Sequence, residues 1–488
     1  MLSPPWWTVL DPSDWEAFRS AAHRALDDAI DSLRDVRDEP VWQQVPDEIK
    51  ARLREPMPDR PRAFEDVYGE YRETIAPYVT GNIHPRFWGW VHGSGTPGGA
   101  IADMLAAFMN SNVGGRDHGA VYVERQVIGW FRDLFGMPAD ASGLLVSGSS
   151  AANFIAVLAA RTRAQENVRA TGVHQHDAPL VGYASAATHA CVRKAFENAG
   201  LGSAALRVLP VDANHRMDVN ALRTTIESDR STGNRPFLIV GNAGTVDVGA
   251  IDPLKELAEI AQREQIWLHV DGAFGAPAYL SQTLRGKLAG IESADSIAFD
   301  FHKWLHVPYD AGCVLVRDGA VHRATFASEG PYITRMPRGL AAGEPWFTDY
   351  GPELSRGFRA LKVWFTLKEH GSQKLAHAIE RNCEQARMFA SLVDAHPLFE
   401  RVAPVELQIV VFRPVLPGIS PVEIDTIVDE AAIRVQESGE AVLSSTTVEG
   451  RRALRVCITN HRTQDADLQR LPALLEAVIG EMRSTRAG

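Results

Sequence analysis

The chain has 488 residues, 45% hydrophobic and 23% charged, the balance of an ordinary globular protein of two or three domains. Its 50 basic and 61 acidic residues leave a net charge of −11, which argues against a nucleic-acid backbone as partner. No apolar run approaches the ~20 residues that span a membrane, Met1–Trp7 lacks the pattern of a secretion signal, and four scattered cysteines (Cys191, Cys313, Cys383, Cys457) form no C-x-x-C pair, so a reduced, cytoplasmic protein is expected.

Asp14 to Arg37 carries apolar residues at helical spacing (Trp15, Phe18, Ala22, Leu26, Ile30, Leu33) with an acidic opposite face. A proline-rich passage follows through Pro40, Pro46, Pro56, Pro58 and Pro61, and is expected to hold no regular structure. With a second helical segment, Phe64 to Ile75, residues 1–85 read as a helical arm with no core of its own that packs on something else, such as a second subunit. The stretch His84–Gly95 mixes aromatics with glycines, which suits a loop lining a pocket and equally a subunit seam.

Residues 86–395 read as a large α/β domain. Seven continuous apolar runs, Gly143–Val146, Leu180–Tyr183, Ala205–Leu209, Phe237–Val240, Ile266–Val270, Ser296–Phe299 and Cys313–Val316, are interleaved with helical segments. Continuous rather than alternating strands indicate a buried, mostly parallel sheet. Residues 396–488 read as a small α+β domain with strands in Val405–Phe412, Ala441–Val448 and Ala453–Ile458 and helices at Pro421–Glu437 and Asp465–Met482.

Chemistry-bearing residues fall at the strand ends, where open α/β sheets bind ligands. Ser147-Gly148-Ser149-Ser150 opens a helix and suits a phosphate, although such turns also cap helices without a ligand. Asp271 ends an apolar strand and is followed by Gly272 and Ala273; it suits a protonated heterocyclic nitrogen or a helix cap. Thr245 lies in another strand-end turn, and His189 starts a helix, a position more often structural than functional. Lys303 sits among Phe301, Trp304 and Leu305, and either snorkels to water or is the partly desolvated amine that condenses with carbonyls. Pyridoxal phosphate asks for all of these together: an amine, a carboxylate on the ring nitrogen, a phosphate cradle and a flat ring stacked on it. His174 and His176, without other ligand types nearby, read as a polar loop, and no metal is expected.

The signature around the lysine (Ser296-Ile297, Lys303-Trp304-Leu305, Tyr309, Ala311, Val314, Arg317), with His84–Phe87 and Ala102–Leu105, resembles the group II pyridoxal-phosphate amino-acid decarboxylases, which include the aromatic-amino-acid, histidine and glutamate decarboxylases. The similarity runs from about Phe64 to Arg462. It implies a fold-type-I homodimer with the active site at the subunit interface. In this sequence the resemblance implies that Lys303 holds the cofactor, His302, Ser149 and Ser150 contact its phosphate, and Asp271 pairs with the pyridine nitrogen. Ala273 packs under the ring, His189 stacks on its other face, Thr245 sits near ring and substrate, and Tyr332 delivers a proton to the α-carbon from a closing loop. The implied activity is conversion of an L-amino acid, aromatic ones included, to its amine and carbon dioxide; an aldehyde synthase or aminotransferase, or a cofactor-binding protein without activity, are the other readings. Around the substrate the pattern departs from the aromatic-specific members: Asn82, Asn112 and Gly114 replace bulky apolar residues, Trp90 a tyrosine, and His92-Gly93 a Pro-Thr pair. Arg455 matches an arginine near the site, Arg116 and His118 suit either a substrate carboxylate or an interface, and Arg356 and Arg359 fall in a similar arginine-bearing stretch without an assignable role.

Overall fold

The computed structural model describes residues 10–173, 178–328, 330 and 334–487. All seven expected strands form: β1 (Ser142–Val146), β2 (Leu180–Ser185), β3 (Leu206–Leu209), β4 (Arg235–Asn242), β5 (Trp267–Asp271), β6 (Ser296–Asp300) and β7 (Gly312–Val316). They make one sheet in the order β1-β7-β6-β5-β4-β2-β3. β3, β2, β4, β5 and β6 are mutually parallel, and β7 alone runs against its neighbours β1 and β6. Every residue of β5, β6 and β7 is buried, because helices including Ser149–Ala164, Leu254–Glu264 and Gly119–Leu134 cover the sheet. That double cover is why these strands are uninterrupted apolar runs.

The sheet direction positions the site. The carboxyl ends of β1, β4, β5 and β6 and the start of β7 meet at one edge, with Val146 and Asp300 both in register with Gly312.

A second, antiparallel sheet, β10-β11-β9-β8, contains β8 (Phe399–Arg401), β9 (Ile409–Pro414), β10 (Ser444–Val448) and β11 (Arg451–Cys457). The helix Pro421–Glu437, started by a Ser420/Glu423 capping box, and the helix Asp465–Ala487 pack on it. A long helix, Arg359–Ala395, joins the two sheets and is broken at Gly371, whose left-handed φ of 68° suits glycine.

The N-terminal segment contains helices Trp15–Arg34, Asp47–Arg52 and Phe64–Thr74. The helix Asp47–Arg52 corrects the expectation that the proline-rich passage is irregular throughout. Pro46 precedes its first turn, where a missing N–H costs nothing, and no proline falls inside it. The strip between the helices is stitched to the small sheet: Val41 N donates to Gly439 O (2.8 Å), Trp88 N to Val442 O (2.7 Å) and Cys457 N to Trp88 O (2.9 Å).

Arg356, without an assignable role in the sequence, is a buried strut. Its guanidinium bonds the buried Glu124 carboxylate and the carbonyls of Val113 and Leu145, fixing β1 just before the turn at Gly148. Arg359 instead pairs with Asp310 and Glu353 at the start of the long helix. Replacing Arg356 by Met strands the Glu124 charge; unfolding in urea is expected to show a loss of about 3–5 kcal/mol.

Candidate functional site

β1 runs out through Ser147 and Gly148 into the helix Ser149–Ala164, with Gly148 fully extended (φ 172°, ψ 174°). Asp300, the last residue of β6, accepts from Ser149 N at 2.6 Å and pairs with Lys303 Nζ at 3.1 Å. Gly312 lies between them, and a Cβ on it would sit 2.5 Å from Gly148 Cα, so only glycine allows the close approach. The Ser149 hydroxyl is buried, has no hydrogen-bond partner among the described residues, and belongs to a residue lining a cavity of about 500 Å³. An unpaired hydroxyl at a helix N-terminus beside His302 suits an anionic oxygen.

Asp271 ends β5 on the same cavity. Its Oδ1 accepts from Ala273 N (3.1 Å) and its Oδ2 from Asn153 Nδ2 (3.0 Å). Burial pushes its pKa up, while the positive charge of Lys303, the Ala273 N–H, His189 and Asn153 act in the opposite direction. A buried carboxylate turned to a cavity suits a ligand that brings a proton. His189 caps the helix Ala190–Asn198, its Nδ1 accepting from Cys191 N at 3.2 Å, which settles the ring orientation at the cavity wall.

Lys303 lies on the same cavity: Phe301, Trp304 and Leu305 are all buried, and the partly exposed amine points to Asp300. Gly93 presses on this turn: a Cβ there would lie 2.0 Å from His302 O and 2.4 Å from Lys303 O. His302 Nδ1 accepts from Ala311 N (3.0 Å), and burial lowers its pKa against the opposing pull of Asp300. Rings of Trp90, His92 and Tyr309 form a wall beside it, His92 stacked on Trp90 and Tyr309 4.2 Å from His302. Arg455 reaches the cavity from β11, its guanidinium donating to Val246 O (2.6 Å) and Ser444 Oγ (3.1 Å), without a carboxylate partner among the described residues.

One cavity therefore gathers Lys303, His302, Asp271, Ala273, His189, Ser149 and Ser150 with Trp90, His92 and Arg455. Thr245 is placed differently from the expectation. Its hydroxyl accepts from Ala250 N (3.0 Å) and closes the loop, so Gly244 and Val246 line the cavity instead. Asn82 and Asn112 also lie off the cavity of this chain: Asn82 Nδ2 donates to Gly93 O (2.7 Å), and Asn112 Oδ1 accepts from Gly114 N and Arg356 N. Arg116 and His118 line a separate surface cleft with Asn112. Tyr332, His174 and His176 lie outside the described residues. Asp300, Asn153 and Tyr309 joined the site without a role read from sequence. Asp300 closes β6 three residues before Lys303, and Asn153 stands one helical turn after Ser149 on a common helix face. A wider cleft of about 900 Å³ at the opposite end of the strands, with Arg163, Trp267 and Asp295, has no comparable convergence.

Residues 46–415 match the family model described as the pyridoxal-dependent decarboxylase conserved domain. The chain is 32% identical over 473 residues to the aromatic-L-amino-acid decarboxylase of Bacillus atrophaeus, covering 96% of each chain. It is 28% identical to the histidine decarboxylase of Rattus norvegicus, covering 95% of this chain and 71% of that one. The crystal structure of Oryza sativa TDC with PLP and tryptamine superposes with a TM-score of 0.90 at 25% identity, covering 97% of this chain and all of that one.

Two histidines around this framework are held neutral by burial: His84 and His269 each titrate near 4. An unfolded histidine titrates near ~6.5, so between these values the unfolded chain binds more protons. Their contribution to stability is complete above pH ~6.5 and is lost as pH falls toward ~4. Thermal unfolding across this window is expected to show a Tm that drops steadily on acidification; a flat profile would contradict the burial assignment.

Proposed function

The chain belongs to the pyridoxal-dependent decarboxylase family, and from that premise we propose that Lys303, Asp271, His189 and the Gly148–Ser150 turn hold the cofactor for decarboxylation of an L-amino acid with a flat aromatic side chain. The protein is a pyridoxal-phosphate-dependent amino-acid decarboxylase. The observation that carries the site assignment is the convergence of the Lys303 amine, the buried Asp271 carboxylate and the unpaired Ser149 hydroxyl on one cavity.

When bound, pyridoxal phosphate supplies an aldehyde that condenses with amines and a pyridinium ring that accepts the electron pair left by departing carbon dioxide. The residues present fit its three ends. Ser149 Oγ, Ser150 and His302 would receive the phosphate at the helix N-terminus. Asp271, held by Asn153 and Ala273 N, would keep a proton on the ring nitrogen by opposite charge. His189 would stack on the ring, and the small Ala273 would leave room for it.

Lys303 Nζ would hold the cofactor through its aldehyde, and Asp300 beside it would balance the amine's charge whenever it is free. Arg455, a buried guanidinium with no carboxylate partner among the described residues, is complementary to the substrate carboxylate. Thr245 acts through the loop it closes, setting Gly244 and Val246. Trp90, His92 and Tyr309 form the aromatic wall that favours a planar side chain. Tyr332 is assigned from sequence alone as the proton donor to the α-carbon, which favours amine over aldehyde as product. Four free, buried cysteines support a cytoplasmic location, and no helix among the described residues is long and apolar enough to cross a membrane.

The homodimer belongs to the same reading. Trp15, Ile30, Phe64 and Val67 on the N-terminal helices, and Phe108 and Met109 on the helix Pro97–Met109, are exposed apolar side chains. Apolar surface spread over three helices marks a protein contact, and a second copy supplies the symmetric complement.

Lys303→Ala is expected to lower amine release by ~10³-fold or more and to abolish the wild-type visible band of the bound cofactor. A panel of amino acids followed by carbon dioxide, ammonia and peroxide release is expected to give carbon dioxide and amine, fastest with aromatic substrates; clear preference for acidic substrates, or peroxide in step with turnover, would overturn that assignment. Phe108→Asp with Met109→Asp is expected to convert a dimer to monomer by sedimentation and to weaken association by ~100-fold or more.

A further inference from the structure

Behind Asp271 lies a line of polar side chains of which the chemistry above uses only Asn153. Trp267, His269 and Asp271 alternate along β5 and so share one face of a strand buried throughout. Asn153, on the helix Ser149–Ala164, and Ser296, paired with His269 across β5 and β6, complete the line. Trp267 Nε1 donates to Ser296 Oγ at 2.7 Å, Ser296 Oγ meets His269 Nδ1 at 2.8 Å, His269 Nε2 meets Asn153 Oδ1 at 2.6 Å, and Asn153 Nδ2 reaches Asp271 Oδ2 at 3.0 Å. Trp267 is 3% exposed, Asp271 5%, and the three between them 0%.

The chemistry of the two ends sets the direction of every bond. An indole N–H only donates, and a carboxylate only accepts. Asp271 therefore takes the Asn153 amide N–H, which turns the Asn153 carbonyl to His269. That carbonyl needs a proton on Nε2, so in neutral His269 Nδ1 is the acceptor. Ser296 gives its one hydroxyl proton to Nδ1 and accepts from Trp267. All four bonds then point the same way, with their positive ends toward Asp271. Asn153 Nδ2 also approaches Cys191 Sγ at 3.2 Å, a weak acceptor that leaves this order unchanged.

We infer that Trp267, Ser296, His269 and Asn153 form a one-way hydrogen-bond relay that positions Asp271 and stabilises its carboxylate toward the cofactor ring nitrogen. The inference rests on the assignment of Asp271 to that nitrogen. Roughly 13 Å of strand separates the relay's start from its end, so its first members act without touching cofactor or substrate. Two adjacent features favour a relay over ordinary packing. An apolar residue would fill each of these positions on a wholly buried strand face at less desolvation cost. Lys303 and His189 both lie on the cavity side of Asp271, which leaves the relay and the Ala273 N–H as its polar support from within the fold.

The test uses the full-length holoenzyme with three readouts: pyridoxal phosphate affinity, the pH dependence of its bound visible spectrum, and kcat against KM. Asn153→Leu, close in volume, removes the last bond; Ser296→Ala breaks the middle; Ser296→Thr restores a hydroxyl. Asn153→Leu is expected to weaken cofactor affinity roughly 10- to 100-fold, to move the spectral midpoint assigned to the ring nitrogen and Asp271, and to lower kcat with KM little changed. Ser296→Ala should move the same three quantities in the same direction by a smaller factor, and Ser296→Thr should return them toward wild type. A Ser296→Ala holoenzyme with lowered thermal stability but wild-type affinity, spectrum and kcat would reduce the line to packing and overturn the inference. Should Asn153→Leu not fold, the Ser296 pair decides alone. Failure of the Asp271 assignment itself is distinguishable, because Asp271→Ala would then leave affinity and spectrum unchanged.

Discussion

The Asp300 carboxylate is the constraint on which the site depends. One of its oxygens takes the first amide of the helix Ser149–Ala164 and the other takes the Lys303 amine, joining segments 151 residues apart at one side chain. Without it the helix N-terminus and the lysine turn are separate segments at the ends of β1 and β6, the two strands that flank β7. The sheet makes the junction possible, because β7 runs against β1 and β6 and starts where they end. Gly312, at that start, is too small to hold the two apart.

The electrostatics follow from the same edge. Two carboxylates, Asp300 and Asp271, sit at the ends of adjacent strands, and each is committed differently. Asp300 is spent on the protein's own amide and amine, and Asp271 has neutral donors behind it and open space in front. A buried acid without a full counter-charge is costly, and that cost is tolerable where a cationic ring partner is part of the finished site. The loop carrying His92 and Gly93 shuts the front, packed so closely on the lysine turn that a side chain at Gly93 has no space.

Much of this was legible in the sequence because it rests on local patterns. Continuous apolar runs marked all seven strands, and the small-residue turns marked their ends. Lys303 and Asp271 stood out as charged residues closing apolar stretches. What stayed hidden depends on long-range meeting. Asn82 and Asn112 look like pocket residues by position, yet their side chains are spent on backbone groups of Gly93, Gly114 and Arg356. Thr245 turns inward because a hydroxyl so close to Ala250 N closes its loop. The short helix Asp47–Arg52 was masked by flanking prolines that in fact bound it, and the three-residue β8 is too brief to show a period.

The stitching of the N-terminal strip to the small sheet bears on how the chain is made. Val41 and Trp88 pair with Gly439, Val442 and Cys457, segments that follow every strand of the large sheet in the chain. Trp88 is fully buried only among residues of that late sheet and the helices around it. During synthesis the strands of the large sheet therefore precede the segments on which the loop beside their cavity docks, and Trp88 has no burial partners until those segments are made. The wall of the cavity thus depends on the small sheet, which couples the two halves of the fold at the site.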